Sequence, residues 1–254
     1  AAEMAVEEYG RALLGDATIE IVHADHQVKA DVAAALARRW LDTEGVDAIL
    51  DMPFSAAALA VNEVVRQNGR AAYLVHWTYD PWSVANSTAR AVVSQGGKSW
   101  FFLTSDYAFG HAIEIDGSRA IKAAGGQVLG SVSHPYNSPD MSAYVLQAMA
   151  SKAQVIGLAN SSVDAINSIK QAHDLGAVAQ GMRVAALIML INDVHGLGLE
   201  AGQGLYLTEP FYWDLNDRTR AWSKRFAARA GGRMPTMNHA GVYSATLAYL
   251  RAVR

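Results

Sequence analysis

The chain contains no cysteine. That excludes disulfides, thiol catalysis and cysteine-ligated zinc, although it assigns no compartment, because many exported proteins also lack cysteine. No run of basic residues is present, only 18% of the chain is charged, and the net charge is −3. This balance argues against a nucleic acid or an anionic membrane surface as partner and leaves a small molecule or another protein. No apolar stretch approaches the roughly 20 residues needed to cross a bilayer. No signal peptide precedes Ala1, so an exported protein would carry its address outside this chain.

What remains is apolar and regular. The 254 residues are 51% hydrophobic, enough for one large α/β domain or two lobes, each with its own core. Helical spacing in "AAEMAVEEYGRALLG", "VKADVAAALARRWLDTEG" and "SAAALAVNEVVRQNG" alternates with strand-like "TIEIVHAD", "VDAILDMPF" and "RAAYLVHW". After "YDPWS" the rhythm resumes, with strands expected at "SWFFLTS", "QVLGSVSH", "QVIGLAN", "MRVAALIML" and "QGLYLTEPFYW" between helices. Two helices, from Asn216 to Ala230 and from Asn238 onward, close the chain. Strands separated by helices of ten or more residues mean βαβ units and a mainly parallel sheet. Breaks at Pro81 and Pro210 divide the chain into two lobes, residues 1–80 plus 212–254 and residues 81–211.

Catalytic motifs are missing. There is no Gly-x-x-x-x-Gly-Lys-Ser/Thr and no Gly-x-Ser-x-Gly, and "GLGLEAGQG" from Gly196 has the wrong spacing for a dinucleotide fingerprint. His23 and His26, three apart on an expected strand, point to opposite faces and do not share a metal. No Ser-His-Asp set assembles from sequence order. The chain is read as a non-enzyme with no metal and no cofactor.

Binding chemistry gathers at the carboxyl ends of the expected strands, where open parallel sheets hold ligands. "MPFSAAALA" places Phe54 and then Ser55 at a helix start, where Ser55 either caps its own helix or, with the free amides of the first turn, holds a carboxylate. "DYAFG" puts Tyr107 and Phe109 on a turn just beyond a strand, and "GLANSSVD" puts Asn160, Ser161 and Ser162 on another. Apolar surface with a few polar anchors is the composition of a small-ligand site.

The segments "AAEMAVEEYG", "HADHQVKADVAAALARRWLDTEGVDAILD", "GGKSWFFLTSDYAFG", "GGQVLGSVSHP" and "TEPFYWDLNDRTRAWSKRFAAR" resemble the periplasmic substrate-binding proteins of ABC importers. The resemblance is to the branched-chain amino acid (Leu/Ile/Val) receptor type and runs in order over essentially the whole chain. It implies the type I periplasmic binding protein fold: α/β, two Rossmann-like lobes with parallel sheets joined by a hinge and closing over a ligand. It also implies delivery to a membrane permease from the periplasm. Residue by residue, Ser55 matches a helix-start serine that contacts a ligand carboxylate, Phe109 falls near an aromatic position with Tyr107 beside it, and Asn160 falls near the second-lobe turn.

Amino-acid binders of the family place an acidic residue near "ALIML", where this chain has Ile188 and Met189. An unpaired buried ammonium is costly, so the expected ligand is an apolar or aromatic carboxylate. The candidate ligand-binding set is Phe54, Ser55, Ala56, Trp77, Tyr107, Phe109, Asn160 and Met189. The chain opens on what resembles the family's first helix, runs from Leu74 straight into the crossover and stops early, so the fold is expected to be truncated at both ends. A monomeric solute receptor for an ABC permease is the leading expectation. A ligand-sensing domain of the same fold is the alternative.

Overall fold

In the computed structural model of the chain, residues 1–68 and 75–254 are described. The first helices are α1 (Ala2–Leu14), α2 (Ala30–Asp42), α3 (Ser55–Gln67) and α4 (Pro81–Ser94). Then come β1 (Ser99–Ser105), α5 (Ala108–Ala123), β2 (Gln127–His134), α6 (Ser142–Ala150), β3 (Val155–Ala159) and α7 (Ser162–Asp174). The chain continues through β4 (Arg183–Ala186), α8 (Ile191–Leu197), β5 (Tyr206–Leu207), α9 (Asp217–Arg229) and α10 (Met237–Ala252). It divides into two compact units, Ala1–Thr78 with Trp213–Arg254, and Tyr79–Tyr212.

The second unit is built on one parallel sheet in the order β2-β1-β3-β4-β5. Its inner strand β3 is buried along its whole length, and Trp100, Phe102 and Leu103 of β1 are completely buried. Glycine makes room for these rings. A Cβ on Gly157 would meet the Phe102 ring at 2.7 Å and Trp100 at 3.0 Å, so the neighbouring strand carries no side chain there. Leu103, Ile156 and Leu158 pack with Val145 of α6 and Ile169 of α7 in one core, burial that stabilises by about 1.5–3 kcal/mol per large aliphatic side chain. Asp80 and Ser83 form a capping box at the start of α4, with Pro81 in the first turn. The proline that breaks the preceding pattern therefore starts a helix.

The helix α8 was not expected from the sequence. Its seven residues include glycine and three polar positions, too short a run for an apolar period to show. The strands expected at "MRVAALIML" and "QGLYLTEPFYW" are cut to four and two residues.

The first unit packs α1 against α10 and α2 against α3. Ala33, Ala37 and Leu41 of α2 meet Ala57, Val61 and Val64 of α3, so small residues on one helix admit the larger ones of the other. Arg225 and Arg229 of α9 pair with Glu8 and Glu7 of α1 at 2.9 and 2.7 Å, and the Tyr243 hydroxyl donates to Glu8 at 2.6 Å. Hydrogen bonding to Arg225 holds the Glu8 carboxyl below its usual range.

Among the described residues of this unit no strand forms. "TIEIVHAD" and "VDAILDMPF" have strand composition, but a strand exists only through a ladder to a neighbour, and no ladder runs through them. Ile21, Val22 and Leu50 stand 36%, 38% and 37% exposed. Beyond Ala24 the chain turns locally instead: Asp25 Oδ1 accepts from the Gln27 amide at 2.7 Å, and Gln27 and Val28 take left-handed φ angles of 54° and 57°. Residues 70–74, most of the strand expected at "RAAYLVHW" and including Leu74, lie outside the described residues.

Candidate functional site

The carboxyl ends of β1, β2 and β3 lie side by side, because Ser105 is in register with His134 and Thr104 with Ala159. The chain leaves β1 through Asp106, whose amide donates to the His134 carbonyl at 2.8 Å. Tyr107 then takes the N-cap position of α5 with extended φ and ψ of −152° and 168°. Helix α5 can begin this close to the strand ends only because residue 110 is glycine. A side chain there would collide with the Ser105 carbonyl and stand 3.1 Å from that of Ala159.

This geometry brings rings together. Tyr107 lies 6.3 Å from Phe109 and meets Tyr136 edge-on at 5.5 Å, with an interplanar angle of 67°. Such edge-to-face pairs contribute about 0.5–1.5 kcal/mol beyond burial. The Tyr107 hydroxyl hydrogen-bonds the Ser161 side chain, so Ser161 makes no cap bond to its own helix α7. Burial pushes the Tyr107 phenol above its ordinary value. Tyr136, which the sequence reading passed over, is 44% exposed. Its signal was the "HPY" turn directly after the expected strand "QVLGSVSH".

Asn160, the residue before Ser161, is buried with 2% exposure. His134 Nδ1 lies 2.9 Å from the Pro135 carbonyl, which can only accept, so Nδ1 carries the hydrogen and Nε2 accepts. Asn160 Nδ2 supplies that hydrogen at 3.0 Å and donates a second to Ser168 Oγ at 3.1 Å, while Ser168 donates to the Asp164 carbonyl at 2.7 Å. Both amide hydrogens are thereby used and the amide is oriented. Asn160 Oδ1 and Ser105 Oγ are buried without partners among the described residues.

The remaining expected residues are placed differently. Met189 is 1% exposed and packs in the core of the second unit. The apolar reading of "ALIML" also missed two carboxylates brought to the same turn by the fold. Glu209, just beyond β5, accepts from the Ile191 amide at 2.8 Å, and Asp193 accepts from the Leu190 amide at 3.2 Å. Burial, with the nearby Asp193 charge, pushes Glu209 up to about 7, and burial also raises Asp193.

In the first unit Phe54 is the N-cap of α3, and Ser55 is its first helical residue with no side-chain cap bond. Ser55 therefore does not cap its own helix, and Ala56 beside it is exposed. Phe54 stacks with His26 at 6.4 Å. Trp77 is held elsewhere on this unit: its indole donates to Ser244 Oγ at 2.8 Å, and it lines a shallow groove with Tyr243, Leu247 and Arg251. Among the described residues no group of three or more His, Asp or Glu is placed to hold a metal. No helix there is long and apolar enough to cross a membrane.

The periplasmic binding protein family matches residues 1–254. A solved periplasmic binding protein from Burkholderia mallei is 43% identical, with a TM-score of 0.92 over 99% of this chain and 71% of that one. A branched chain amino acid ABC transporter periplasmic ligand-binding protein from Burkholderia xenovorans LB400 is 38% identical, with a TM-score of 0.82 over the same shares. Among curated proteins, the Leu/Ile/Val-binding protein homolog 6 of Brucella suis biovar 1 is 26% identical over 194 residues, 68% of this chain. The chain spans about half the length of that relative, 49%. A parallel α/β sheet with a ring-lined carboxyl edge, matched from first residue to last, makes this chain a member of the periplasmic binding protein family.

Proposed function

We propose that the chain is the solute-binding component of an ABC importer, acting in the periplasm as a monomer and presenting its solute to a membrane permease without chemical change. The proposed solute is a small apolar or aromatic carboxylate. The observation that carries this reading is the Tyr107–Phe109–Tyr136 cluster at the carboxyl edge of the second unit's sheet. Rings gathered at mutual angles just beyond the strand ends give an angled apolar surface, and the Tyr107 hydroxyl supplies a polar anchor of the kind ligand sites use, with the buried Asn160 amide behind it as support. On the first unit, the open amides at the start of α3 with Ser55 offer the chemistry for a carboxylate. The faces at Phe54, Ser55 and Ala56 and at Trp77 are proposed independently of the first.

Titration calorimetry of the 254-residue chain with benzoate, 4-hydroxybenzoate and leucine, with benzamide as the uncharged control, tests this. Heat with an aromatic acid and none with benzamide is the expected result. Heat with none of the four sinks the reading. A binder at a hundredfold excess over its Kd stabilises the fold by about 2.7 kcal/mol, which a thermal shift reports independently.

A second reading rests on Glu209 and Asp193. Two half-buried carboxylates at the turn after β4 are chemistry for an ammonium, which favours an α-amino acid. Leucine binding that Glu209→Gln abolishes, with benzoate giving no heat, selects this reading over the first.

A further inference from the structure

The loop that leaves β2 is held more firmly than a surface loop requires. Asp164, in the first turn of α7, is 2% exposed, yet its carboxylate accepts the Ser138 amide at 2.7 Å and the Asn137 amide at 3.0 Å. Ser138 Oγ donates to the Pro135 carbonyl at 2.7 Å, and Asn167 Nδ2 donates to the Ser138 carbonyl at 3.1 Å. His134 binds the same Pro135 carbonyl. Asn137 takes a left-handed φ of 62°, a conformation asparagine tolerates and most side chains resist. Residues 135–138 are thus tied at both ends to buried groups. A carboxylate buried this deeply is costly unless fully hydrogen-bonded. The chain spends it on a loop whose principal side chain, Tyr136, is 44% exposed.

An exposed ring gains little from being held still unless something docks against it. Freezing the loop removes the ordering cost that a mobile one would levy on each binding event. Resting on the aromatic-carboxylate reading above, we propose that Tyr136 is a specificity-determining residue of that face and that Asp164 is its positioning residue. Tyr136 supplies a ring surface at a fixed angle to Tyr107, so a planar aromatic acid gains contact that a branched aliphatic acid of similar charge does not. Asp164 touches no ligand. It acts through the two loop amides, and replacing it with asparagine leaves one acceptor oxygen and turns an NH2 toward a backbone N–H. Asp164 also lies in the first turn of a helix, where a negative charge is favoured by the helix dipole, and that contribution is blind to Tyr136.

The test is calorimetry with benzoate and with 3-methylbutanoate on the wild type, Tyr136→Ala, Asp164→Asn and the double variant. The expected result is a loss of roughly tenfold for benzoate in Tyr136→Ala with less than threefold for 3-methylbutanoate, the scale of one lost aromatic contact. Asp164→Asn alone is expected to weaken benzoate about threefold or more, and within about twofold in the Tyr136→Ala background, because a positioning effect vanishes with what is positioned. Amide exchange at Asn137 and Ser138 should quicken in Asp164→Asn. Should that variant not fold, Asn167→Ala removes one loop bond with the same expected direction and a smaller effect. Benzoate bound by Tyr136→Ala within twofold of wild type overturns the specificity role. An Asp164→Asn or Asn167→Ala loss that persists undiminished without Tyr136 overturns the positioning role. No heat from either probe on the wild type removes the ligand reading and this inference together.

Discussion

Glu209 Oε1 and the Ile191 amide, 2.8 Å apart, tie the segment after β5 to the start of α8. Burial raises this carboxyl from 4.5 to about 7, so the folded state holds the proton more tightly than the unfolded chain does. Its contribution is present in full below pH ~4.5 and is lost as pH rises through about 7. Glutamine keeps the acceptor and removes the charge. Glu209→Gln should therefore be more stable than wild type at pH 8, by about 2 kcal/mol after allowance for partial solvation. Near pH 4 the two should be alike. Thermal unfolding of both proteins from pH 4 to 8 checks this, and parallel profiles would refute it.

Gly110 has no room for a side chain against the Ser105 carbonyl. Gly110→Ala should push the first turn of α5 off the strand ends and cost about 1–3 kcal/mol, the range for overpacking against backbone. Phe109 moves with that turn. Urea unfolding reads the stability loss, and weaker binding of an aromatic acid at temperatures where the variant remains folded reads the displacement.

Asn160→Ala removes the donor that satisfies His134 Nε2 in a region with no solvent access. Leaving that acceptor unpaired should cost roughly 1–3 kcal/mol. A nitrogen-15 spectrum of the imidazole should show the Nε2 signal shift in the variant. An unchanged signal together with unchanged stability would mean that the amide does not orient the histidine.

Tyr107→Phe keeps the ring and deletes the hydroxyl bonded to Ser161. The stability change should stay within about 1 kcal/mol, since one hydrogen bond to a half-buried group is at stake. If the hydroxyl is an anchor of the proposed face, binding of 4-hydroxybenzoate should weaken several-fold while the ring contacts persist. Equal affinity in both proteins would reduce Tyr107 to an apolar surface.

Much of the fold was legible because the pattern was local. "SWFFLTS" reads as a buried strand from its rings and β-branched neighbour, and the structure buries Trp100 and Phe102 completely. Helix α3 begins at the serine where the apolar period begins, and α4 begins at the proline that ends the preceding pattern. The short helix α8 was hidden because seven residues carry too little period to be read. The segments around Ile21 and Leu50 misled for the opposite reason: composition can suit a strand, but only a hydrogen-bonded neighbour makes one.

The candidate site was legible in part. Tyr107, Phe109 and Asn160 follow strands, and position after a strand can be read from sequence. Tyr136 lay in view in "HPY", but nothing local shows that β2 runs beside β1 and brings its ring edge-on to Tyr107. Met189, expected at the ligand face, packs in the core of the second unit, and an apolar residue beyond a strand reads the same from sequence in either role.

By itself the sequence determined the alternation of strand and helix in the second unit, the family resemblance and the turns beyond strands where rings stand. These depend on residue type and spacing along a few consecutive positions. Only the tertiary structure decided that Glu209 meets Ile191 and that Asp164 holds the amides of Asn137 and Ser138. The partners in those contacts are 18, 27 and 26 residues apart in the chain, and burial and hydrogen bonding act through space on whichever groups the sheet order brings together.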